Sequence, residues 1–109
     1  MKVETIGHTA VIKDIQSNIS GFLEVLANDY NSVVSKNIII DLSDHSHLSS
    51  KDLNTFLELA KTHKKAKKSL VLVGKTDYNK ISDKIVIVPT VQEARDMIEL
   101  DEIERDLGF

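Results

Sequence analysis

Apolar residues recur along this chain in two periods, and the switch between them marks the elements. Residues 3–6 and 9–12 are β-prone stretches around Gly7-His8. That pair suits a tight turn wanting Gly first, which predicts a short hairpin. Ile19, Phe22, Leu23, Leu26, Tyr30, Val33 and Val34 follow at spacings of three and four. They predict a helix over about residues 20–34. Residues 37–42 form a continuous β-branched run, as a central strand covered on both faces does. Leu53, Phe56, Leu57 and Ala60 give the stripe of a second helix over about 50–67. Residues 70–73 and 85–88 predict two more strands, the latter ended by Pro89. The polar stretch 75–84 between them reads as an irregular connection. Thr90-Val-Gln-Glu93 has the form of a capping box and opens a last helix, which Gly108 stops. Ser49 and Asp52 form a similar Ser-x-x-acid pattern. Strands alternating with helices imply an α/β fold: a mostly parallel sheet of four to five strands, led by a hairpin and covered by about three main helices.

The last helix changes face. At about 100° per residue, Val91, Ala94, Met97 and Ile98 share one sector. Leu100, Ile103 and Leu107 point to another, and one straight helix cannot bury both sets on one sheet. Either the helix bends or leaves apolar residues in solvent, or this second stripe, with Phe109, docks on a partner or a second copy.

Composition narrows the classes. The 109 residues fit one domain, 1–109, with 41% apolar and 28% charged content of globular type. The absence of Cys removes disulfides, thiol chemistry and Cys-based zinc sites. No apolar run nears bilayer-spanning length and no leader-like segment precedes the first strand, so a cytoplasmic protein without membrane contact is expected. The net charge of −3 hides a division. Lys61, Lys64, Lys65, Lys67 and Lys68 crowd the end of the second helix, where the helix dipole favours cations. The last helix instead carries seven acids and two arginines between Glu93 and Asp106. With no aromatic residue among the lysines for base stacking, the basic patch reads first as a solvated helix end, then as a surface for an acidic partner, and last as a nucleic-acid site.

Three motifs resemble active-site fragments and fall short. Gly74-Lys75-Thr76 looks like the end of a phosphate loop, but Ser69 stands where the first Gly belongs and a strand fills the interval. His45-Ser46-His47 matches the first half of a metallo-hydrolase signature, but the following Asp and His are missing. These histidines read as surface loop residues. Ser and His occur together in residues 43–50, but no acid is placed to orient a His base in a credible triad, so no catalytic, metal or cofactor site is expected.

One stretch resembles a known family. Ile38-Ile-Ile-Asp41-Leu-Ser43, then a loop, then Leu48-Ser49-Ser50-Lys51-Asp52-Leu53 resembles the STAS domain of anti-sigma-factor antagonists and sulfate-transporter tails. There a strand ends in Asp-Leu-Ser, and a loop then gives Asp-Ser-x-Gly-Leu at a helix start. Residues 70–74 and the segment 85–94, with Thr90-Val-Gln-Glu93-Ala94, are similar to the family's later strands and last helix. The resemblance implies a non-enzymatic protein-interaction module in signalling or regulation. It also implies a phosphorylation switch at Ser50, flanked by Asp41, Ser43, Ser49 and Asp52. Ser49 stands where the family has Asp, and Asp52 where it has Gly, so the switch would be a degenerate one. The ending, residues 102–109, is similar to that of small bacterial STAS-like proteins that often carry a ribonuclease Z label. The alternative expectation is therefore an accessory subunit of an RNA-processing enzyme such as ribonuclease Z, acting through the lysine cluster.

Overall fold

A computed structural model describes residues 2–14, 18–45, 48–77, 81–82 and 84–108. Five strands form one sheet in the order β1-β2-β3-β4-β5: β1 (Lys2–Ile6), β2 (Thr9–Lys13), β3 (Asn37–Asp41), β4 (Leu70–Val73) and β5 (Ile87–Val88). The first pair is antiparallel and the other three are parallel. The expected hairpin is present, with Gly7 at φ 60° at the first turn position, where a side chain would strain the backbone.

The chain crosses between parallel strands through α1 (Ile19–Asp29) and then through α2 (Ser50–Asn54) and α3 (Leu57–Lys65). These helices cover one face of the sheet. Ala10, Ile12, Ile38, Ile40 and Leu72 meet Phe22, Leu26, Leu53 and Phe56 there. The opposite face carries α4 (Val91–Asp106), whose Ala94 and Ile98 pack on Ile39, Val71 and Val73. Successive residues of β3 thus serve opposite cores, as a strand covered on both sides requires.

Two helices differ from their sequence reading. The first gives way at Tyr30 to a single 3₁₀ turn, Tyr30–Ser32, in which the Ser32 hydroxyl donates to the Asp29 carbonyl. Val33 and Val34 lie beyond the helix. The second is two helices. Thr55 Oγ1 turns back onto the Asp52 carbonyl, and the Thr55 and Phe56 amides bond three residues back. Such a back-bonded Thr competes with the regular ladder and bends the helix there. The break sets Phe56 against Phe22 with ring centroids 6.3 Å apart.

Capping is also redistributed. The complete box is at Ser49–Asp52: Asp52 N–H donates to Ser49 Oγ at 3.1 Å, and Ser49 N–H donates to Asp52 Oδ2 at 3.2 Å. At α4, Thr90 Oγ1 accepts from Glu93 N–H at 3.1 Å. The α3 end is a Schellman turn built without glycine. Lys67 N–H reaches the Lys64 carbonyl and Lys68 N–H the His63 carbonyl, with Lys67 held at φ 62°. The described residues of 75–84 contain no helix.

Candidate functional site

Three places bring polar or chemically distinctive side chains together. The first is the edge where the parallel strands end. Because Lys13 pairs with Asp41 in register, the residues just beyond them, Asp14 and the 42–45 loop, become neighbours. Asp41 Oδ1 accepts from Ser43 N–H at 3.0 Å and closes the loop start. Lys13 Nζ lies 3.4 Å from Asp44 Oδ2. His45 Nε2 lies 2.8 Å from Asp14 Oδ2, and both side chains are almost out of solvent. His45 is therefore no surface histidine, and an acid does orient it. It comes from 31 residues upstream, where no local motif search would find it. His47 and Ser46 lie outside the described residues. The arrangement ties the loop to β2, and the larger clefts lie elsewhere on the surface. No group of three or more His, Asp or Glu among the described residues is placed to hold a metal ion.

Ser50 is the first residue of α2 and half-buried, next to the Ser49 cap and within one turn of Asp52. The Ser49 hydroxyl and the Asp52 carboxylate are both engaged by the cap. Gly74-Lys75-Thr76 sits across from this loop as a packing element. A Cβ on Gly74 would come within 2.5 Å of Leu48 Cδ1, and Thr76 Oγ1 donates to the Leu48 carbonyl at 2.6 Å.

The second place is the lysine cluster. Lys61, Lys64, Lys65 and Lys67 are exposed and Lys68 is half-buried. Lys61, Lys64 and Lys65 border an open groove of about 650 Å³ with Ala60 and Lys84. Lys64 and Lys68 also border a cleft of about 400 Å³ shared with Asp101, Glu104 and Arg105. The basic and acidic patches therefore meet in one cleft rather than standing apart. Below them His63 is fully buried. Tyr30 Oη donates to His63 Nδ1 at 2.7 Å, and His63 Nε2–H donates to the Lys36 carbonyl at 2.7 Å, which defines the neutral tautomer. Burial pushes the His63 pKa down, with Lys68 adding to the effect against the bond to Lys36. Burial likewise raises that of Tyr30.

The third place is α4. Its sheet-facing side is apolar at Val91, Ala94 and Ile98 and polar at Asp101, Glu102 and Arg105. The polar half seats on Asn37, the first residue of β3, and on Ser69, the residue before β4. Asn37 Nδ2 donates to Glu102 Oε1 at 2.5 Å, and Ser69 Oγ donates to Asp101 Oδ2 at 2.8 Å. Arg105 reaches Ser69 Oγ at 3.1 Å and Asn37 Oδ1 at 3.3 Å, while Ser69 N–H donates to Asn37 Oδ1 at 3.0 Å. Sequence reading missed this network, although Asp101, Glu102 and Arg105 continue the 91-94-98 periodicity. The helix is continuous from Val91 to Asp106. Leu100, Ile103 and Leu107 are left 56%, 50% and 66% exposed. Phe109 lies outside the described residues.

No helix among the described residues is long and apolar enough to cross a membrane. Compared with known families, the chain matches no family model, and it matches no curated protein.

Proposed function

We propose that this chain is a non-enzymatic, cytoplasmic protein-interaction module of STAS-like design. The observation that carries the reading is the outward stripe of α4. Three large aliphatics stand in one sector of a helix whose inward side is already satisfied by packing and hydrogen bonds. Contiguous exposed apolar residues of this kind mark protein-binding surfaces more often than chance exposure does. The STAS-like part rests on the resemblance of Asp41-Leu-Ser43 and Ser49-Ser50 to that family. Its support is positional: the first motif ends β3, and Ser50 opens the next helix.

The test is affinity capture from native cells with the full chain, compared with Ile103→Asp. Proteins held by the wild type and lost with the variant support the reading. Identical protein sets refute it. The switch at Ser50 is read by intact mass, with a phosphate adduct expected on a fraction of the chain and an unmodified mass under all growth conditions counting against it.

A second reading, an accessory subunit of an RNA-processing enzyme, is favoured by one observation, the groove bordered by Lys61, Lys64, Lys65 and Lys84. A salt-sensitive RNA shift that disappears when Lys64 and Lys65 are changed to Glu would support it.

A further inference from the structure

The outward stripe of α4 carries information about what covers it. On a helix of about 100° per residue, Leu100, Ile103 and Leu107 lie opposite the sheet-facing side. Glu99 and Asp106 flank them on one side, and Glu93 and Glu104 on the other. Asp96 continues the stripe one turn earlier, and Arg95 is the exposed cation of the helix. All five of these acids are exposed.

A second copy of this chain fits the stripe poorly. Two-fold pairing brings the same surface against itself. Burying Leu100, Ile103 and Leu107 on their symmetry mates then sets the flanking acids of one copy against those of the other along both rims. Like charges so placed disfavour association. A lipid surface of ordinary anionic character meets the same repulsion.

We infer that the stripe docks a cationic amphipathic helix of a partner protein, with aliphatics at helical spacing and Lys or Arg on both flanks. Packing of the partner's apolar helix face against the stripe, helix on helix, supplies the apolar contact. The flanking acids supply orientation and attraction, in the pattern by which charged flanks select partners in paired helices. The inference rests on the interaction reading above and narrows it to a class of partner.

The test uses the full chain and a designed 18-residue helical peptide with Leu at positions repeating by three and four and Lys on the flanks. A control peptide carries Glu in place of each Lys. Binding is followed by fluorescence anisotropy at low and moderate salt. The Lys peptide should bind at least about tenfold tighter than the Glu peptide, and more weakly as salt rises. Leu100→Asp and Ile103→Asp should each weaken it by about tenfold or more, with circular dichroism unchanged because both side chains are on the surface. Lys51→Glu, exposed on α2 across the sheet from α4, should leave it unchanged. Equal binding of the two peptides, or no loss in the stripe variants, overturns the inference. So does a dimer in sedimentation that Leu100→Asp dissolves, since a second copy then covers the stripe. If the peptides fail but Ile103→Asp still loses its captured proteins, the cationic partner falls and the interaction reading stands. If the captured sets are also identical, both fall.

Discussion

Replacing His63 with Phe tests the interior beneath the lysine cluster. A planar aromatic ring is kept, larger by one ring atom, and so is the edge contact with Tyr30, whose ring centroid lies 5.6 Å away at 75°. What goes is hydrogen bonding: the acceptor for Tyr30 Oη and the donor to the Lys36 carbonyl. A lost hydrogen bond costs about 1 kcal/mol, and a buried group left without a partner about 1–3. Tyr30 is near enough to solvent to recover part of its share, which leaves a loss of about 2–4 kcal/mol. For 109 residues the unfolding entropy is about 0.23 kcal/mol/K, so Tm should fall by roughly 9–17 °C. The loss should also depend on pH. Burial holds the His63 pKa below its ordinary 6.5, so the folded chain resists a proton that the unfolded chain accepts. The stability tied to neutral His63 is whole above about pH 6.5 and declines as pH falls below it, until the lowered folded-state pKa is passed. The Phe variant has no such decline. The gap between wild type and variant should therefore narrow on acidification. Urea unfolding of both proteins from pH 7.5 to 5 measures it. A loss below about 1 kcal/mol, or a gap that stays constant or widens toward pH 5, would refute the hydrogen-bonded neutral histidine.

Other substitutions test separate features. Lys67→Gly should stabilise by about 0.5–1 kcal/mol, read by thermal melting, because Lys67 occupies the left-handed position of the α3 end that glycine adopts without strain. Ser49→Ala should cost about 1 kcal/mol by removing the acceptor for Asp52 N–H, measured by urea titration. Asn37→Asp should cost about 2–3 kcal/mol at pH 7, because a carboxylate oxygen would replace the amide donor facing Glu102. That cost should shrink near pH 4.5 as carboxylates protonate, so a loss independent of pH would disprove the like-charge cause.

The elements were legible where periodicity and burial agree. Residues 70–73 form β4 as expected, and Thr90 caps α4 as expected, because an apolar run between polar flanks and a Thr-x-x-Glu start have few other solutions. The break at Thr55-Phe56 was hidden. Phe56 keeps the helical spacing of the stripe, and the event that interrupts the helix is a hydroxyl choosing a carbonyl. The site was less legible than the fold. The pairing of Asp14 with His45 depends on β2 and β3 ending level, a consequence of register rather than of nearby sequence. Likewise nothing local to Asn37 or Ser69 shows that the parallel pairing of β3 with β4 sets both beneath one helix. Tyr30 was legible as part of an apolar face but not as a donor, since its acceptor is 33 residues away.

The exposed stripe and the buried polar network of α4 are two results of one constraint. Asn37 begins β3 and Ser69 immediately precedes β4, and both are buried beneath the second half of the helix. An aliphatic residue over them would strand the Asn37 amide and the Ser69 hydroxyl, at about 1–3 kcal/mol each. Asp101, Glu102 and Arg105 avoid that, and among the described residues no buried side-chain polar atom lacks a partner. Helical geometry then leaves Leu100, Ile103 and Leu107 on the far side. Rolling α4 to bury them would expose Ala94 and Ile98, open the network and carry Glu99 and Asp106 toward the sheet. Each of those changes is unfavourable, and they must occur together because the helix is continuous from Val91 to Asp106. The isolated fold has no low-energy way to cover the stripe itself. Its burial requires another surface, and the acids around it favour one that carries the opposite charge.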